Sequence, residues 1–89
     1  MSEPVIFRGR TLDPAPSKPG ALSVYACNVS KLLRVEVWKR RNDSLWYGVV
    51  FVAGGALATA MEKTPQLVAA KLEERWEAIR MDLAEAGFV

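Results

Sequence analysis

The sequence predicts an α+β domain: a three- or four-stranded antiparallel β-meander with one C-terminal α-helix packed on one face. Three observations carry this. Between residues 22 and 61, apolar stretches that alternate with polar residues, or are rich in β-branched and aromatic side chains, are separated by turn residues. From Thr64 onward, a helix start signal is followed by apolar residues at spacings of three and four. At 89 residues, 51% of them hydrophobic, the chain can build one core and has no room for a second domain.

Residues 1–21 read as an extended, proline-rich arm and residues 22–89 as the domain. Pro4, Pro14, Pro16 and Pro19 fix φ and push the residue before each toward extended conformation. No apolar h-region of a secretory signal is present. Only Val5-Ile6-Phe7 is apolar enough to dock, either as part of a loose leader or as a clip over the body. Leu22 to Cys27 alternates as a strand, and Asn28-Val29-Ser30-Lys31 turns it into the next one. Asn28-Val29-Ser30 is also a glycosylation sequon, without a secretory context to use it.

Leu33, Val35 and Val37 alternate with Arg34, Glu36 and Trp38, and Asn42-Asp43-Ser44 supplies turn chemistry. A three-residue loop pairs Arg41 with Leu45, so that Val37 faces Val49, Val35 faces Phe51 and Leu33 faces Ala53 on one apolar face. A two-residue loop places Arg34 beside Phe51 on the face carrying Val49, and is disfavoured for that reason. Ser44 to Met61 holds no charge and follows Lys39-Arg40-Arg41, the pattern of a single-pass membrane segment. Its glycines, alanines and aromatic, β-branched first half favour two strands joined at Gly54-Gly55, with Ala56, Ala58 and Ala60 toward the helix.

The helix starts with Thr64 as N-cap and Pro65 at the first helical position, and Gly87 closes it, with Leu83 touching Phe88. Val68, Leu72, Trp76, Ile79, Leu83 and Ala86 form its apolar stripe, and Trp76 fills the core. One helix covers one sheet face. In the expected register the other face carries Arg34, Trp38, Arg40, Trp46, Val50, Val52, Leu57 and Met61, flanked by Lys39 and Arg41 at the hairpin. A contiguous apolar surface with tryptophan and arginine is the composition of an interaction site, to be closed by the arm, a second copy or a foreign protein.

Residues 1–44 carry a net charge of +4 and residues 45–89 a net charge of −2, so the basic excess lies on the sheet and its hairpin. A three-stranded sheet followed by a C-terminal helix, with Arg34, Trp38, Arg40 and Trp46 on the uncovered face and Thr64-Pro65 opening the helix, is similar to AP2-type and integrase arm-type DNA-binding domains. That resemblance covers roughly residues 32–80 and implies groove reading by those four side chains. It departs where Val50, Val52, Leu57 and Met61 share the face that meets DNA.

The sequence has no histidine and one cysteine, Cys27, which excludes histidine relays, an internal disulfide and a cysteine zinc cluster. Val52-Ala53-Gly54-Gly55-Ala56 lacks the lysine and following helix of a phosphate loop. The expectation is a non-catalytic, cytoplasmic binding protein without cofactor or metal. It acts on a protein partner or itself as a homodimer, in the manner of a phage or mobile-element accessory or inhibitor protein. A DNA-binding module using the same face is the first alternative, and a membrane protein spanning 44–61 the second.

Overall fold

The computed structural model describes residues 4–16, 21–41 and 44–85, with side chains to Ile79. A small hairpin pairs β1 (Ile6–Phe7) with β2 (Arg10–Thr11). Its turn residues Arg8 and Gly9 both have positive φ, 51° and 77°. The main sheet follows: β3 (Asp13–Ala15), β4 (Ala21–Asn28), β5 (Leu33–Arg40), β6 (Trp46–Val52) and β7 (Gly55–Glu62). They lie side by side in chain order, all antiparallel, and the chain then enters α1 (Pro65–Glu85).

The class is the expected one, but the sheet has five strands rather than three or four. The additional strand, β3, contains Pro14. It is tolerated because β3 is an edge that pairs only with β4, so the missing N–H removes no central ladder bond. The apolar residues before it also belong to the body. Val5, Phe7 and Leu12 join the core, Phe7 fully buried, and Leu12 N–H donates to the Val5 carbonyl at 2.8 Å. β1 packs against α1, so this segment lies on the helix side of the sheet and does not close the opposite face.

The run from Ser44 to Met61 is β6, a tight turn and β7, not a helix, and no described helix is long and apolar enough to cross a membrane. The β5–β6 register differs by one residue from the expected one. Leu33 pairs with Val52, Val35 with Val50, Val37 with Gly48 and Lys39 with Trp46. Because side chains alternate strictly, that single step turns β6 over. Trp46, Gly48, Val50 and Val52 face the helix, and Tyr47, Val49 and Phe51 face away. The last bond toward the loop runs from Arg40 N–H to the Leu45 carbonyl, and Ser44 takes a positive φ of 59°. Asn42 and Asp43, the expected turn residues, lie outside the described residues.

Gly48 supplies the physical reason. A Cβ at this position would sit 2.8 Å from Leu72 Cδ1 and closer still to Val68 Cγ1. Gly48 pairs with Ala60, and its neighbour Val50 with Ala58. A glycine and two alanines thus make a shallow floor on which Val68 and Leu72 settle. The expected register put Val49 and Phe51 there, too bulky for α1 to approach as closely. On the β4 side, beside the start of α1, Tyr25 and Trp46 fill the same layer with ring centroids 5.9 Å apart.

The β6–β7 turn also moves by one residue, to Ala53-Gly54. Both have positive φ, 52° and 84°, as a two-residue hairpin turn that matches strand twist requires. A bulge opposite Phe51 then restores the pairing, so Ala58 and Ala60 reach the core as expected while Ala56 stays exposed. The helix starts as read from the sequence: Thr64 Oγ1 accepts from Leu67 N–H at 3.2 Å. Val68, Leu72 and Trp76 are buried, Ala69 with them, and Ile79 packs against the core. The expected closure by Leu83, Ala86, Gly87 and Phe88 lies outside the described side chains.

Candidate functional site

α1 packs on β7, β6 and β5, on the face of Val35, Val37 and Val50. Among the described residues, no helix or strand packs across the opposite face. The pairings lay its side chains out in rows. One row runs Val24, Trp38, Tyr47, Met61; the next runs Ala26, Glu36, Val49, Thr59; the third runs Asn28, Arg34, Phe51, Ala56.

The first row is the aromatic one. Trp38 and Tyr47 are cross-strand partners with ring centroids 5.0 Å apart and planes inclined at 53°. The Arg40 guanidinium lies 6.0 Å from the Tyr47 ring centroid, and Arg40 Nη1 contacts Met61 Sδ at 3.4 Å. Both rings are half-buried, each by the other and by their strand neighbours, so two large side chains are held in place before any partner arrives. Val24, Ala26 and Val49 are buried between the larger side chains of this face. Met61 and Leu57 remain exposed at its β7 margin.

The third row is polar. Arg34 Nε donates to Glu36 Oε2 at 2.9 Å and Arg34 Nη1 to Asn28 Oδ1 at 3.0 Å. This ties the guanidinium to two neighbours on the same face and pairs its charge with a carboxylate largely shielded from solvent. Beside it, Asn28, Lys31, Arg34, Phe51 and Gly54 line an open depression of about 530 Å³.

Of the ten residues singled out from sequence, Arg34, Trp38 and Arg40 lie on the open face, Met61 and Leu57 at its margin, and Arg41 at the exposed hairpin end. The other four do not join them. Val50 is fully buried beneath α1, and Val52 packs against the core. Trp46 lines a separate depression of about 330 Å³ with Val5, Tyr25, Lys63 and Gln66 at the start of α1. Lys39 takes the helix-side position opposite Trp46. The one-residue register step moves Trp46, Val50 and Val52 together and brings in Tyr47, Val49 and Phe51 in their place. The shorter loop, rejected from sequence, would have named those three.

No protein-family model matches the chain, and comparisons with curated proteins and with solved structures found no match. The five-stranded sheet also carries two strands more than the three-stranded architecture of the AP2-type and integrase arm-type domains. Trp46, one of the four residues that resemblance points to, lies on the helix side. Among the described residues, no three Cys, Asp or Glu side chains converge in a way that could hold a metal ion.

Proposed function

We propose that the protein is a small binding module, without catalysis, that engages a protein partner through the sheet face opposite α1. The observation that carries this reading is the Trp38–Tyr47 pair, pre-positioned beside Arg40 and bordered by Met61 and Val49. Tryptophan, tyrosine and arginine dominate interface energetics when they are held rigid within an apolar surround. An accessory or inhibitory role in a reducing compartment fits its size and its lone, half-buried Cys27.

DNA binding through the same face is the second reading. It is favoured by one observation: Val50 and Val52, which opposed it in the sequence, sit on the helix side. Charge argues the other way. Arg34 is paired with Glu36, and Asp13 of β3 falls on the open side opposite Ala26, so few cations are left to neutralise phosphates.

A photo-crosslinking residue at position 51, on the open face, distinguishes these readings when compared with one at position 67 on α1. Position 51 should capture a discrete protein that position 67 does not. Trp38→Ala should then weaken binding of that protein by about 2 kcal/mol, roughly thirtyfold, with little salt dependence. Equal capture at both positions refutes the assignment of the face. Binding to duplex or single-stranded DNA that falls steeply with salt and is lost in Arg40→Ala establishes the second reading instead.

A further inference from the structure

We propose that the outer edge of β7, which pairs with no other strand among the described residues, pairs with the same edge of a second copy of this chain, joining two five-stranded sheets into one antiparallel sheet across a two-fold axis. The inference concerns the sheet edge and does not depend on what the open face binds.

The two edges of the sheet are built differently. β3 is three residues long and has Pro14 at its centre, so it offers a poor template for another strand. β7 is eight residues long, contains no proline and carries no charge before its last residue, Glu62. Its side chains alternate between core and solvent from Leu57 to Met61, and Leu57 and Met61 are exposed by 41% and 48%. A long, uncharged edge with exposed apolar side chains is what natural sheets avoid unless the edge is used.

The direction of the backbone groups sets the register. The Thr59 carbonyl accepts from Arg75 Nη1 of α1, so it points away from β6 and toward the free side. By the two-residue period of a strand, Met61 presents its backbone groups to the same side. A two-fold axis through Thr59 lets the two Thr59 residues exchange both backbone bonds. It also brings Leu57 of each copy, at the bulge opposite Phe51, beside Met61 of the other, so the two exposed apolar residues of the edge come together twice. No charge of β7 enters these pairs.

The helices fit the same arrangement. α1 lies over β6 and β7, rather than centred on the edge strand. Across the two-fold axis the two helices come about two strand spacings apart, roughly 9–10 Å. Helices pack at 8–10 Å, so the flanks of the two helices face each other across the axis. Lys71, Arg75 and Ala78, spaced four and three residues apart, form the flank of α1 on that side. In the single chain Arg75 covers the Thr59 carbonyl. In the pair that acceptor goes to the second copy's Thr59 N–H and Arg75 is released.

Light scattering on the purified chain tests this. Wild type should run at twice the 9.8 kDa chain mass, and a single-chain mass at tens of micromolar overturns the proposal. Leu57→Lys with Met61→Lys sets like charges opposite each other in both cross-pairs and should give a folded monomer by circular dichroism. Leu57→Lys with Met61→Glu should restore the dimer, now weakened by salt. Arg75→Ala removes the competing bond and one cation from the flank where each helix faces its copy, so its dimer should dissociate several-fold less readily. A dimer unchanged in the two-lysine variant, or loosened in Arg75→Ala, refutes pairing through this edge. Trp38→Ala should leave the mass at two chains, which separates this result from any failure of the open-face reading.

Discussion

Gly48 shows how one side chain decides which face of a strand becomes core. It stands where Val68 and Leu72 descend, and a methyl group there would lie within van der Waals radii of both. Leu72 can rotate its terminal carbon aside, whereas the branched Val68 is stiff at χ1. Gly48→Ala should therefore cost about 1–3 kcal/mol of stability, read as a lower urea midpoint with unchanged slope. Ala53 is strained in a different way. Its φ of 52° is a left-handed conformation that disfavours a Cβ, and the following Gly54 already suits a two-residue turn. Ala53→Asn creates the favoured Asn-Gly pair and should raise stability by about 0.5–1 kcal/mol, seen as a higher melting temperature.

Among the elements, the N-terminal hairpin holds more of the core than its length suggests. Phe7 is fully buried, and Arg8 ties the hairpin to the helix twice. Its N–H donates to Glu73 Oε1 at 2.5 Å, and its guanidinium lies 3.7 Å from Glu77 Oε1. Phe7→Ala should cost about 3–5 kcal/mol in equilibrium unfolding, enough to leave a domain of this size marginal. An unchanged midpoint would place Phe7 outside the cooperative unit.

The helix start and the main strands could be read in advance, because Thr64-Pro65 and the alternation of Leu33 to Trp38 each encode their own geometry. The orientation of β6 could not. Trp46 to Val52 is apolar throughout, with no polar residue to mark the solvent side, so only loop length was left to set it, and loops of two and three residues give opposite faces. The glycine within that run was the usable signal, since a helix needs its small residues underneath. The two-residue strands β1 and β2 carry too few positions to show any period, and Pro14 disguised β3 as irregular chain.

At the scale of the whole molecule, layering governs what the surface can do. Helix and N-terminal hairpin share one side of the sheet, and among the described residues no element covers the Trp38–Tyr47 row on the other. The candidate site was therefore half readable. Residues of β5 kept their side because polar partners alternate with Val35 and Val37, while those of β6 exchanged sides as a block.

The tie between Arg8 and Glu73 has a consequence for how the molecule is made. These residues stand 65 positions apart, so the contact closes nearly the whole domain into one loop. Synthesis delivers α1 after every strand it covers, and until it emerges Val35, Val37, Val50 and Phe7 have no lid. The core of the nascent sheet therefore cannot close before α1 emerges. It must wait, apolar side exposed, and then close in a single late step, during which a chaperone would find its binding surface on the side that the finished protein hides.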